Sequence, residues 1–363
     1  MFQDSLLHVV DDALASGVDV RCILSPEHGF RGDHQAETGD PVYYTDGATG
    51  LPVISAYALN ATELASALSA LGVTTIWTDM QDVGTRLYTF VWTMYEAMLA
   101  ASLFGARFVV TDRPNPLNGL LVGGPLLNVS CCASGYGRVP ITHVHGMTIG
   151  EMALLFNDYI GTTTGARVLS LEVVRTEGWQ RGMAWEQTGL LWVPPSPNIP
   201  TPESALAYAA TVFIEATTVA EGRGTTTPFS LFGAPFLNAS ALASLLNKGG
   251  PYSAFRAAYF NPSFSKYNGT DCSGVQWMRR VEPSFGVAMS VLAALRDLSG
   301  ENFAWDGSWF GHPGTELIDQ YAGTPELRKR LDAGQSAAEV AAAFSADASD
   351  FREARRPYLL YPE

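Results

Sequence analysis

Lysine is scarce in this chain of 363 residues: Lys248, Lys266 and Lys329 are the only three. Lysine and arginine together number 22 against 36 acidic residues, so the formal charge is -14. That excess repels a polyanion at long range and excludes nucleic acid as an expected partner. No G-x-x-x-x-G-K-[ST] loop and no G-x-G-x-x-G turn after a strand is present, which removes P-loop hydrolysis and dinucleotide binding. No serine sits in a G-x-S-x-G elbow, which counts against a serine hydrolase. Each lysine lies in a polar, turn-like or helix-surface context and reads as solubilising surface. The four cysteines form no C-x-x-C pair, so structural zinc is not expected. Cys22 falls in an apolar run and reads as core, and the adjacent Cys131 and Cys132 read as a loop pair. No run approaches the ~20 apolar residues of a membrane span. Met1 to Ser5 lacks the basic and apolar regions of a secretory signal, so the chain as written is expected to stay where it is made. N-x-[ST] patterns begin at Asn60, Asn128, Asn238 and Asn268, a frequency that chance supplies.

What is present is an alternation of helix-like and strand-like segments through the first half, the pattern of an α/β layer with a largely parallel sheet. Leu6, Val9, Val10 and Leu14 make a helical stripe. Strands are expected over 18–24, 52–55, 74–78, 107–111 and 168–174, with helices over 62–71 and 88–104 closed by Gly72 and Gly105. Thr148 and Glu151 form a capping box that opens a helix to Tyr159. A Pro- and Gly-rich middle runs from Gly178 through Trp192 to Gly224. Beyond it come strands over 255–260 and 274–281, then a helical tail with a second capping box at Ser336 and Glu339. The alanine-rich stretch 337–348 reads as one packed helix. The reading is a Rossmann-like N-terminal catalytic domain over 1–238 and a smaller α+β domain over 239–363 that completes the cleft.

In an open parallel sheet, ligands bind beyond the carboxyl ends of the strands. Three strand ends there carry carboxylates with an arginine and a glycine close behind: Glu27 with Arg31, Asp79 and Asp82 with Arg86, and Asp112 with Arg113. Glu27 is the sharpest candidate, because Pro26 stiffens the turn before it; the structural alternative is an ion pair with Arg31. Asp79 and Asp112 can equally be helix caps, and Arg86 and Arg113 can either clamp an anion or neutralise those aspartates. Glu215 follows the apolar run 212–214 and reads as a further strand-end acid. Gly222 and Gly224 around Arg223 allow close backbone approach. His143 and His145, two apart on a strand, share a face, but their surroundings follow no ligand spacing, and hydrogen-bonding histidines above the sheet are preferred to a metal site. Trp77, Trp92, Trp179, Trp185 and Trp192, with Tyr43, Tyr44 and Tyr88, flank these loops, and aromatics beside carboxylates, asparagine and arginine suit a carbohydrate better than a nucleotide.

The runs SPEHGFRG (25–32), DMQDVGTRLYTF (79–90), TDRPNPLNG (111–119), HGMTIGE (145–151), WVPPSPNIPT (192–201) and EGRGTTTPF (221–229) resemble the NamZ-type exo-β-N-acetylmuramidase family of peptidoglycan hydrolases, as does the close from Phe351 to Tyr361. The resemblance implies a Rossmann-like domain, a smaller second domain, a cleft between them, and release of N-acetylmuramic acid from the non-reducing end of peptidoglycan fragments without a cofactor. It makes Glu27 the catalytic acid, with Glu221, Glu215 or Asp82 as its partner, or the substrate's own 2-acetamido group in place of a protein nucleophile. It implies that Arg86, Arg113 or Arg223 binds the lactyl carboxylate. Further substrate contacts fall to His28, Arg31, Asp79, Gln81, Asp112, Asn115, Asn118, His145, Asn198 and Thr225. Relatives usually begin with a further strand and a loop like LVTNPTG ahead of the first helix, which this chain starts without. Where relatives read near EGTNLSEGRGT, residues 215–221 lack a glycine, an asparagine and a serine. A silent carbohydrate-binding relative and a metal-dependent hydrolase are the competing readings.

Overall fold

The computed structural model describes residues 6–35, 41–248, 254–278 and 283–363. Helix α1 (Val9–Ala15) precedes β1 (Ile23–Ser25), β2 (Tyr43–Thr45) and β3 (Pro52–Ser55); then come α2 (Ala61–Ala70), β4 (Thr75–Thr78), α3 (Phe90–Phe104) and β5 (Arg107–Thr111). β6 (Gly123–Leu126), α4 (Val129–Cys132), β7 (Thr142–Val144), α5 (Ile149–Thr164) and β8 (Leu171–Val174) complete the first half. β1 pairs in parallel with β3, which pairs antiparallel with β2. The second sheet, β4-β5-β8, is parallel throughout, and β6 and β7 form an antiparallel pair. The expected Rossmann-like, largely parallel layer is therefore present. Its core joins α2, α3 and α5 to the sheet through Leu64, Val91, Met98, Phe108 and Phe156. α3 buries nearly its whole circumference and, lacking a polar face, is held by packing on all sides.

The second half holds α6 (Pro202–Thr211), β9 (Leu231–Ala234), α7 (Ala239–Leu246), β10 (Phe255–Phe260), β11 (Cys272–Trp277) and α8 (Phe285–Ser299), then α9 (Glu316–Ala322), α10 (Glu326–Asp332), α11 (Ala337–Ala343) and α12 (Ser345–Arg355). β10, β11 and β9 form an antiparallel sheet. A second core gathers Leu87 and Tyr88, Phe213, Phe229, Phe232, Val275 and the buried faces of α8 to α11. No described helix is long and apolar enough to cross a membrane.

Several elements depart from the sequence reading. The strand expected from Val18 begins only at Ile23. The Val20 N–H bonds the Val18 carbonyl at 2.9 Å in a tight turn, and the exposed Asp19 and Arg21 pair with each other there. Glu215 does not end a strand; residues 212–216 form a 3-10 turn that continues α6, because three apolar residues in a row do not distinguish the two. The alanine-rich tail is two helices, broken where Phe344 turns inward onto Phe285. Residues 279–281 of the expected strand 274–281 lie outside the described residues. Asn60, Asn128 and Asn238 cap α2, α4 and α7, which explains three of the four N-x-[ST] matches. Cys131 and Cys132 end α4 and are disulfide-bonded.

The capping box of α5 forms as expected, and it does more than cap: the Thr148 hydroxyl also donates to Asp112 at 2.7 Å. Thr148→Ala is expected to cost about 1–2 kcal/mol, read as a lower urea midpoint with an unchanged slope.

Candidate active site

β1 delivers the chain into Pro26 and Glu27, and the next two residues, His28 (φ 72°) and Gly29 (φ 78°), are both left-handed. Glycine adopts that conformation freely, whereas at His28 it is a local strain of the kind held at functional sites. The His28 ring anchors the turn at the carbonyl of His34 (3.1 Å). Glu27 is thereby turned into a cleft also lined by Tyr88, Thr89, Tyr136, Asn198, Tyr208, Glu215, Arg223, Phe229 and Tyr321.

The Thr89 hydroxyl donates to Glu27 Oε2 at 2.6 Å. Burial raises the Glu27 pKa above the ordinary glutamate value, against the opposing pull of that hydroxyl and of Arg223. The ion pair with Arg31 that the sequence offered as an alternative does not form: Arg31 bonds Asp11 and Asp46 instead. Glu27 thus has the environment of a carboxyl that holds its proton.

Across the cleft, Arg223 donates from Nε and Nη2 to Glu215 Oε1 at 3.2 and 2.6 Å, while the Tyr321 hydroxyl donates to Glu215 Oε2 at 2.7 Å. Glu221 stands behind, 3.3 Å from Arg223 Nε and 3.3 Å from Lys266 Nζ. Lys266 also donates to the carbonyls of Ile214, Glu215 and Val219 at 2.9 to 3.1 Å. It is a strut of this cluster and not the surface solubiliser that composition suggested. Burial alone would lower the Arg223 pKa; Glu215 and Glu221 overcome it and hold the guanidinium charged. Two acids and two cations balance, so the cluster is buried without net charge. The loop that carries Arg223 depends on Gly222, at φ 84°, where a Cβ would lie 2.1 Å from the Leu231 carbonyl oxygen. Thr225 closes the loop by donating to the Gly222 carbonyl at 2.6 Å.

Other expected site residues do other work. Arg86 is fully buried and donates to the carbonyls of Tyr136 and Tyr321 at 3.0 and 2.6 Å. Arg113 is occupied by Asp79, and Gln81 donates to the Asp82 and Pro114 carbonyls. Asp112 accepts from the Gly150 N–H at the start of α5 (2.7 Å) and from the hydroxyl of Tyr361. Asp82 accepts from the Gly84 N–H at 2.7 Å and stands 3.2 Å from His145. Asn115 and Asn118 hold their own loop backbone. His143 bonds the Ala209 carbonyl. Among the described residues, no group of three or more His, Cys, Asp and Glu is arranged to hold a metal ion. Of the eight candidates near strand ends 78 and 111, Asp79, Gln81, Asp82, Arg86, Asp112, Arg113, Asn115 and Asn118, none lines the cleft, whereas Glu27, His28, Asn198, Glu215 and Arg223 all do.

Thr89, Tyr136, Tyr208 and Tyr321 escaped the sequence reading as site residues. Tyr88 was noted only as a flanking aromatic; its hydroxyl is buried with no hydrogen-bond partner among the described residues, so it is available to a ligand. Of the flanking tryptophans, Trp92 is core and Trp185 packs edge-on against Trp192.

Comparison with known proteins gives concordant matches. The family model described as Exo-beta-N-acetylmuramidase NamZ, N-terminal, matches residues 1–203, and its C-terminal counterpart matches 206–361. Peptidoglycan beta-N-acetylmuramidase NamZ of Bacillus subtilis (strain 168) is 39% identical over 366 residues, covering 97% of this chain and 84% of that protein. The crystal structure of a DUF1343 family protein from Bacteroides fragilis superposes with a TM-score of 0.82 at 30% identity, over 98% of this chain and 90% of that one. A second DUF1343 family protein from that organism gives 0.74 at 26% identity, with the same coverages of 98% and 90%.

Proposed function

The chain belongs to the NamZ exo-β-N-acetylmuramidase family, and from that premise we propose that its cleft removes N-acetylmuramic acid from the non-reducing end of peptidoglycan fragments. The observation that carries the reading is the pair of differently held carboxyls on one aromatic-walled cleft: burial raises the pKa of both, but Glu27 has no cation bonded to it among the described residues, whereas Glu215 is held by Arg223 and Tyr321, whose charge and hydrogen bonds favour its ionised form. Glycoside cleavage needs an acid for the leaving oxygen and negative charge at the anomeric carbon. Glu27 donates the proton. Glu215 faces the positive charge that develops as the bond breaks; of the three partners the sequence left open, Glu221 and Asp82 do not line the cleft. Arg223 is the cleft arginine and recognises the lactyl carboxylate, and Tyr88, Tyr208 and Phe229 supply the faces and edges that sugar rings pack against.

The test is hydrolysis of para-nitrophenyl β-N-acetylmuramide beside the matching N-acetylglucosaminide, with and without EDTA. Turnover of the muramide alone, indifferent to EDTA, is the expected result; turnover of both sugars equally refutes lactyl recognition. The pH profile carries a further prediction. An acid must be protonated to act, so kcat/KM falls as pH rises through the Glu27 pKa. Because burial raises that pKa, the alkaline limb is expected above the ordinary glutamate range, and a limb within that range refutes Glu27 as the acid.

A further inference from the structure

The disulfide between Cys131 and Cys132 takes no part in the glycosidase chemistry, yet the segment that holds it ends in the cleft. α4 has only four residues, and a helix that short does not sustain itself. Its cap, Asn128, accepts at its carbonyl from the N–H groups of Cys131 and Cys132 at 3.3 and 3.1 Å, and its own N–H donates to the carbonyl of Gly323, the C-cap of α9, at 2.9 Å. Only Ala133 separates the disulfide from a tight turn in which Ser134 and Gly137 exchange backbone hydrogen bonds at 2.9 and 3.2 Å. That turn carries Tyr136, which lines the cleft.

Tyr136 is fastened to the same end of α9. Its ring meets that of Tyr321 edge-on at 4.7 Å, and Arg86 bridges the two backbones through their carbonyls at 3.0 and 2.6 Å. Both flanks of the disulfide are thus tied to the stretch 321–323, from which Tyr321 donates to Glu215 at 2.7 Å. A disulfide between distant residues acts by closing a long loop of the unfolded chain, whereas one between neighbours closes almost none, so what it fixes is local. Here the local backbone is the run from Asn128 to Tyr136. The two sulfurs also differ in access, because Cys131 is exposed and Cys132 is only 4% exposed. An attacking thiolate therefore reaches Cys131 Sγ, with Cys132 as the leaving group.

We propose that Cys131 and Cys132 form a thiol–disulfide exchange site for a dithiol reductant, and that opening it loosens Tyr136 and with it the wall of the cleft. One thiolate of the dithiol bonds to Cys131 Sγ as the bond between the cysteines breaks, and Cys132 departs as a thiolate that takes up a proton. The second thiolate of the dithiol then attacks its own sulfur in the mixed disulfide and displaces Cys131, which takes up the other proton. Two electrons pass to the protein, and the dithiol leaves as a cyclic disulfide. The freed Cys131 thiol has an acceptor at hand in the Asn128 carbonyl, 3.5 Å away, where it competes with the N–H groups that hold α4. The exchange site is independent of the glycosidase reading, and its effect on turnover rests on that reading.

Dithiothreitol added to the full chain, followed by iodoacetamide and peptide mass mapping, reads the exchange. Cys131 and Cys132 are expected to be alkylated only after reduction, whereas Cys22 and Cys272, the free thiols among the described residues, react alike with and without it. Hydrogen exchange reads the loosening without substrate: the amides of Ser134 and Gly137 are expected to exchange about fivefold faster in the reduced protein, and those of β5 at an unchanged rate. On para-nitrophenyl β-N-acetylmuramide, kcat/KM is expected to fall about fivefold, as for a wall held in place about a fifth of the time. The alkaline limb set by Glu27 stays where it is, and oxidised glutathione restores the rate. The double variant Cys131→Ser, Cys132→Ser is expected to show the lowered kcat/KM and no response to dithiothreitol. Alkylation of both cysteines without prior reduction, or full reduction with amide exchange unchanged, overturns the proposal. Faster amide exchange in a chain inert toward the muramide in both states supports the exchange site and removes the glycosidase reading alone.

Discussion

Glu27→Gln is expected to lower kcat/KM on a β-N-acetylmuramyl disaccharide by about a thousandfold with the fold intact. Glutamine matches a protonated glutamate in shape and still accepts the 2.6 Å hydrogen bond from Thr89, but it has no proton to give. On the para-nitrophenyl glycoside, whose leaving group departs with little help, the loss is expected to shrink to roughly tenfold. That contrast separates a proton donor from a residue that merely holds the cleft, and equal losses on the two substrates would remove Glu27 from the acid role. Stability is expected to move the other way. A glutamate with a raised folded pKa costs stability once pH passes its unfolded pKa, and the cost grows until pH reaches the folded value. Glu27→Gln is therefore expected to be the more stable protein at neutral pH, with equality near pH ~4.

Arg223→Met is expected to destabilise the chain by about 3–5 kcal/mol. It strips Glu215 of two charge-assisted hydrogen bonds and leaves Glu215 and Glu221 facing each other, both buried, with Lys266 the one remaining cation of the cluster. Adding Glu221→Gln is expected to restore part of the loss, because the two sites share one charge balance. Arg223→Lys keeps the charge but not the planar fork, and is expected to fall between the two. Urea unfolding of the single and double variants measures this. An Arg223→Met midpoint equal to that of the parent would mean that the cluster is not held by charge pairing.

Glu27 was legible because the carboxyl end of a parallel strand is where a ligand sits, and because proline, histidine and glycine around it mark a constrained turn. Arg223 was legible from its two glycines. Asp112 shows the limit of the same rule: a carboxylate after a strand serves equally well as the cap of the next helix, and here Thr148 and Gly150 take it. Tyr321 stands 106 residues beyond the Glu215 it bonds, and Lys266 bonds carbonyls 47 to 52 residues away. Periodicity reports which face of an element is buried but not what meets that face, so contacts between segments this far apart in sequence were out of reach. Arg86 misled for the same reason, since its partners are backbone carbonyls that carry no sequence signal.

The most direct measurement is mass spectrometry of products from a muramyl-glucosaminyl oligosaccharide, labelled at its reducing end and incubated with the purified chain. Free N-acetylmuramic acid released from the unlabelled end, leaving a labelled remainder one sugar shorter, is the predicted result. Release of internal disaccharides, of N-acetylglucosamine first, or of nothing at all from a folded protein would contradict it.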